Sequence, residues 1–196
     1  MDTIAGLANK NDWERSLERI EAWFQGELLD RPPVRFSRHN EEYEHGDLGS
    51  ANGTLRERWC DAEYQVSVFE KRIAGKAFNG ETFPVFWPNL GPDVYAALYG
   101  WELEYGEVTS WCRHRPVARD GAAGLFLDWT GPYLRFLKEA TELALERSKG
   151  RWWVGYTDLH PSMDCVAAWL GQSELCPLLY DDPDFADELA PGACDD

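Results

Sequence analysis

Apolar residues at Trp13, Leu17, Ile20 and Phe24 recur at the spacing of one helical face and predict a helix over 12–26, with Asp12 as its N-cap. Pro32 and Pro33 stop any continuation, and "VRFSR" (34–38) alternates like a short strand that leads into a polar loop over 39–54. Trp59, Val66, Phe69 and Ile73 repeat the helical spacing and predict a helix from about Leu55 to Gly75. "TFPVFWP" (82–88) is an apolar run rich in β-formers, followed by the turn "NLGP" and a helix "DVYAALYG", with Asp93 near its start and Gly100 past its end. Residues 101–128 read as an extended excursion, with Glu102, Glu104 and Gly106 alternating against Leu103 and Tyr105. A strong helix over 132–149 carries Leu134, Leu137, Thr141 and Ala144 on one face, and Gly150 closes it. A strand over 152–156, a loop and a helix over 162–171 come next, then a further helix and an acidic tail over 183–196.

Strands that alternate with helices imply parallel βαβ units, whose strands are buried on both faces and so read as continuous apolar runs. The class is therefore α/β, and 1–196 reads as a single domain with about three core parallel strands, at 34–38, 82–88 and 152–156. A chain with 44% hydrophobic residues and ten Trp has enough apolar surface for a sizeable core, and most of the Trp set falls at core spacing. The net charge of −16 repels phosphate backbones and anionic membranes, so neither nucleic acid nor a membrane is an expected partner. No apolar run approaches the roughly 20 residues of a membrane helix, and the start lacks a basic and apolar leader, which makes the cytoplasm the expected compartment. Cys60, Cys112, Cys165, Cys176 and Cys194 are odd in number and form no C-x-x-C pair, so they read as free thiols and suggest no metal site.

The chemistry-bearing residues collect after the strands. Asp158, His160 and Asp164 fall within seven positions, a grouping able to bind a metal or move a proton, since a carboxylate can orient an imidazole that titrates near neutrality. The plainer alternative is that Asp158 caps the next helix and His160 is a solvated loop residue. Arg38 and His39 follow the first strand and suit an anion or carboxylate, against an ordinary surface ion pair. Asn89 and Gly91 in "PNLGPD" form either a ligand loop or a tight strand-to-helix turn. Trp87 and Trp111 are the tryptophans placed to line a pocket, and Glu102, Glu104 and Glu107 read as a solvated face.

Three blocks, "EAWFQGELLDRPPV", "FPVFWPNLGPDVYAALYGWELEYGEVTSW" and "GRWWVGYTDLHPSMDCVAAWLG", together resemble the uroporphyrinogen decarboxylase superfamily over about residues 14–182. The resemblance implies a TIM-barrel type (β/α) fold whose site lies at the carboxyl ends of its strands, fed by 37–45, 87–93 and the loop after 156. Such barrels take about 250 residues, so the resemblance makes this chain the N-terminal portion of a barrel, incomplete on its own. It implies lyase action on a carboxylated or tetrapyrrole-related ligand without a cofactor. Asp93, Asp158 and His160 would be catalytic, and Arg38, His39, Trp87, Asn89, Gly91 and Trp111 would bind substrate. "RPPVRFSRHNEEY" keeps Arg38 but has Glu42 where the family has a second arginine, and Asn89 falls where the family has its catalytic aspartate, four residues before Asp93. The superfamily also holds methyltransferases that work with a corrinoid protein, with zinc ligands in a second half. The third expectation is a non-catalytic half-barrel that acts through a homodimer or a partner covering its open edge.

Overall fold

Val85 and Phe86 pair in parallel with Trp153 and Val154, so the two most continuous apolar runs do form neighbouring parallel strands. A computed structural model describes residues 6–39 and 53–190, with 37–39 as backbone alone. The elements in chain order are α1 (Trp13–Phe24), β1 (Arg35–His39), α2 (Leu55–Trp59), α3 (Ala62–Ala74), β2 (Lys76–Gly80), β3 (Val85–Phe86) and α4 (Val94–Leu98). They continue with β4 (Leu103–Tyr105), β5 (Ser110–Cys112), α5 (Arg119–Ala122), α6 (Pro132–Ser148), β6 (Trp153–Val154), α7 (Met163–Leu170), α8 (Gln172–Asp181) and α9 (Pro183–Leu189). Among the described residues no helix is long and apolar enough to cross a membrane. The elements fall into two compact units.

The first unit draws on the described residues up to 39, on 62–87 and on 140–155. Its core joins Val66 and Ile73 of α3, Phe78 of β2, Phe86 of β3, Ala144 of α6 and Trp152. The Phe69 ring meets both Phe86 and Trp152 edge-on, at 5.4 and 5.7 Å, an arrangement favoured by the aromatic quadrupole. One face of the β3–β6 pair is thereby packed, while Val85 and Trp87 remain exposed. The strand expected at 34–38 exists as β1 but does not join this parallel pair. It lies antiparallel to β2, from Arg35 opposite Gly80 to His39 opposite Lys76. The parallel sheet among the described residues thus has two strands, where three were expected.

α1 keeps nearly the expected bounds, yet the Asp12 side chain makes no cap bond and instead accepts a hydrogen bond from Lys10 Nζ at 2.7 Å. Beneath it lies a charge cluster. The Glu81 carboxylate, fully buried, accepts two bonds from Arg31, one from Arg19 and one from the Val34 N–H.

The second unit comprises 53–61, 88–139 and the described residues from 156 onward. All of α4 is buried, and Trp169 of α7 packs against the rings of Trp101 and Tyr99 at 5.1 and 5.2 Å. Within the excursion over 101–128, β4 and β5 form a hairpin that pairs Leu103 with Cys112 and Tyr105 with Ser110. Its outer carboxylates are a solvated, ion-paired face: Arg113 holds Glu102 and Glu104 at 2.9 and 2.8 Å.

Two expected boundaries move. The helix over 55–75 is two helices, because α2 ends at Trp59 and α3 begins at Ala62, the first closed at its start by a capping box between Thr54 and Glu57. The expected acidic tail begins as structure: Pro183 opens α9, Asp182 caps it through the Phe185 N–H, and Phe185, Ala186 and Leu189 are buried. Cys60, Cys112, Cys165 and Cys176 are free thiols. The remainder of that tail, Cys194, and all of the polar loop over 39–54 except its ends fall outside the described residues.

Candidate functional site

After β6 the chain runs on as an irregular segment from Gly155 to Ser162 before α7 begins. Side chains of an extended stretch alternate in direction. Thr157, Leu159 and Pro161 accordingly line a cavity of about 480 Å³ in the second unit, while Asp158 and His160 belong to the intervening positions. The Thr157 hydroxyl donates to the Pro88 carbonyl at 2.5 Å and anchors the segment. Ser162 closes it with φ +62° and ψ −137°, a left-handed backbone that favours glycine and costs about 1–3 kcal/mol for other residues.

His160 sits between two carboxylates. Its Nε2 lies 3.2 Å from Asp158 Oδ2, and its Nδ1 lies 3.5 Å from Asp164 Oδ2 in the first turn of α7. With an acceptor at each ring nitrogen, the doubly protonated imidazolium is the favoured form. The Asp158 hydrogen bond, followed by the charges of Asp158 and Asp164, raises the His160 pKa above its ordinary 6.5 against a smaller opposing effect of burial. Because the folded value is the raised one, the stabilisation is complete below pH 6.5 and fades as pH rises through the folded pKa. A ¹H–¹³C NMR titration of the His160 ring should therefore show a midpoint above 6.5, moving back toward 6.5 in Asp158→Asn. An unshifted wild-type midpoint would remove the pairing.

The other predicted residues are mostly committed to structure. Asn89 Oδ1 accepts the Gly91 N–H at 2.7 Å, and Gly91 has φ +98° with Ser110 Oγ crowding the place of a Cβ. "PNLGPD" is thus a tight turn that requires its glycine. Asp93 precedes α4 but makes no cap bond; its Oδ2 accepts the Cys112 N–H at 2.8 Å, tying α4 to β5. Burial, then the charge of Asp93, pushes the Cys112 thiol up to about 12, so it is no nucleophile at neutral pH. Trp111 is exposed and donates to Glu104 Oε2 at 3.0 Å. Arg38, His39 and Trp87 belong to the first unit, where Arg38 and His39 pair through their backbones with Ala77 and Lys76. None of Trp87, Asn89, Gly91, Asp93 or Trp111 is among the described residues that line the cavity.

What does line it, besides the loop, is Tyr95 and Leu98 of α4, Leu134 and Leu137 of α6, and the intervening stretch Leu127, Asp128 and Trp129. The stretch is placed by the Asp128 N–H, which donates to the Leu98 carbonyl at 2.8 Å. Asp128 Oδ1 in turn accepts from the Thr130 N–H and hydroxyl at 2.9 and 2.8 Å, bonds that hold its carboxyl below the usual range. Sequence reasoning missed this group: "DWTGP" reads as a turn before a helix, and nothing local in it marks a cavity wall. Among the described residues no group of three or more His, Cys, Asp or Glu is arranged to hold a metal ion.

Compared with protein-family models, with curated proteins and with solved structures, the chain matches none.

Proposed function

We propose that this chain is an α/β ligand-binding protein of the uroporphyrinogen decarboxylase-like, TIM-barrel type, working in the cytoplasm as a lyase on a small carboxylated molecule. The single observation that carries the reading is the cavity of about 480 Å³ walled in part by the loop that follows β6. That volume lies within the roughly 300–1,000 Å³ typical of small-molecule sites, and loops after parallel strands are where such folds keep their chemistry. The free thiols suit a reducing compartment.

Loss of CO2 breaks one carbon–carbon bond, leaves the electron pair on carbon, and ends when that carbon takes a proton. His160, whose pKa its carboxylate neighbours raise, is the proton donor this loop offers, although its side chain is not among those lining the cavity and would have to turn toward it to deliver the proton. Asp158 positions it. Asp93 and Asn89 are assigned the structural roles described above rather than catalysis.

The test is release of labelled CO2 from a panel of carboxyl-labelled aryl amino and keto acids, with wild type and His160→Gln. Release that falls at least about tenfold in the folded variant supports the lyase reading. Absence of release from every acid that binds would overturn it. A second reading, a non-catalytic half-barrel that pairs with another copy or a partner, is favoured by the exposed Val85 and Trp87, since parallel sheets are ordinarily covered on both faces. CO2 silence together with a sedimentation coefficient that rises with concentration would decide for that reading. The corrinoid-linked methyltransferase alternative draws support from the resemblance alone.

A further inference from the structure

The cavity's lining is unbalanced in a way that bears on what it holds. Tyr95, Leu98, Trp129, Leu134 and Leu137 make it largely apolar, and Asp128 is the one charged residue among the described residues that line it. Of the neutral polar groups, Thr157 already spends its hydroxyl on Pro88 and the Tyr95 hydroxyl bonds that of Tyr99 at 3.4 Å, while Trp129 offers only an indole N–H. Among the described residues no lysine, arginine or histidine lines it, so a ligand carboxylate would find no cation from them and would face Asp128 instead.

Asp128 also lines a second, smaller cavity of about 210 Å³, shared with Leu98 and bounded by Trp101, Glu102, Gly131 and Tyr133. The two spaces therefore meet at one carboxylate, and the charged residues around them among the described residues, Asp128 and Glu102, are both acidic. Glu102 is engaged by Arg113 at 2.9 Å, whereas the Asp128 carboxylate is bonded by Thr130 and the Gly131 N–H and forms no ion pair within 4.0 Å among the described residues. The charge of Arg135 acts on it from beyond that distance. A carboxylate has about four acceptor positions; Thr130 takes two bonds on Oδ1, and the Gly131 N–H also bonds the group, with Oδ2 beside Gly131. The carboxylate is exposed and keeps acceptor positions for a further donor at the cavity's edge.

We propose that this site takes a small organic cation, an apolar body carrying one protonated amine, with the body in the larger cavity and the amine on Asp128. The inference rests on the reading of the cavity as the ligand site and narrows it: on the lyase reading the substrate is a carboxylated amine. Charge complementarity commits the site to this occupant over a neutral or anionic one of the same shape.

Three probes of matched shape test it at pH 7: 4-phenylbutylamine, 4-phenylbutan-1-ol and 4-phenylbutyrate, titrated into the full chain with the Trp129 indole N–H as NMR reporter. The amine should bind roughly five- to tenfold tighter than the alcohol, with the butyrate weakest. In Asp128→Asn the amide oxygen still accepts the two Thr130 bonds, so the fold persists, and amine affinity should fall to that of the alcohol while the alcohol is unchanged. Equal binding of amine and alcohol, preference for the butyrate, or an amine preference that survives Asp128→Asn would overturn the cation while leaving the cavity as a ligand site. No response at Trp129 to any probe would overturn the cavity reading itself.

Discussion

Replacing Glu81 with Gln should lower the stability of the first unit by about 3 kcal/mol at pH 7, with most of that loss gone at pH 2. The carboxylate is fully buried and accepts four bonds: two from Arg31 at 2.8 and 2.9 Å, one from Arg19 at 3.1 Å and one from the Val34 N–H at 2.7 Å. Breaking a buried pair by removing one partner costs about 3–5 kcal/mol because the surviving charge is stranded. Here the lower end applies. Arg19 keeps Asp30 as a bidentate partner at 2.8 and 2.9 Å, and Arg31 is exposed enough to regain some water. Burial by itself pushes the Glu81 carboxyl up, but the bonds from Arg31, Val34 and Arg19 outweigh it and hold the pKa at about 2 against an ordinary 4.5. A lowered folded pKa means stabilisation that is complete above pH 4.5 and is lost as pH falls toward 2. Urea unfolding of wild type and Glu81→Gln at pH 7 and across the acid range measures this directly. A difference that stays constant with pH would show that the cost comes from packing rather than from charge.

What the chain discloses about its fold is what neighbours in sequence decide. α1, α6 and α7 lie within a few residues of their expected bounds because each carries its own periodic face and stop signals, such as Gly150 at φ +79° after α6. β3 and β6 are similarly visible as apolar runs. β2 is not: "KAFNG" follows Gly75 and ends in Gly80, which reads as a helix stop, and its strand character comes only from pairing with β1 some forty residues earlier. That same pairing takes β1 away from the parallel strands. α9 was obscured by composition, since its acidic residues suggested a tail while Phe185, Ala186 and Leu189 supply a buried face.

The candidate site divides along the same line. Asp158 and His160 are close because they are two residues apart, and a local spacing sufficed to find them. Asn89, Gly91 and Asp93 were equally conspicuous, yet their polarity is consumed by backbone groups, one of them as distant in sequence as Cys112. Asp128 shows the reverse case. Its importance arises from α4, α6 and the loop after β6 converging on one space, a property that no window of sequence contains.

Truncating Trp169 to Ala should cost the second unit about 4–5 kcal/mol and weaken probe binding in the cavity together with it. The side chain is wholly buried, stacked on Trp101 at 5.1 Å and edge-on to Tyr99 at 5.2 Å. Truncations of this size leave a void that neighbours fill only in part, and cost about 3–5 kcal/mol, to which each lost aromatic pair adds roughly 0.5–1.5 kcal/mol. The Trp169 carbonyl, which accepts bonds from Trp101 Nε1 at 3.1 Å and the Arg115 N–H at 2.9 Å, survives the substitution, so the upper sum is not reached. Trp169→Phe, which keeps one ring in place, should lose less than half as much. The link to the cavity runs through α4, whose Tyr95 and Leu98 form one wall and whose Ala96 carbonyl accepts the Trp169 indole N–H at 3.4 Å. With that support removed the wall is free to shift, and 4-phenylbutan-1-ol should lose affinity in Trp169→Ala even under conditions where the variant is folded. Urea unfolding gives the first quantity and the Trp129 indole signal the second. Full probe affinity in a folded Trp169→Ala protein would show that the cavity wall stands without the aromatic stack behind it.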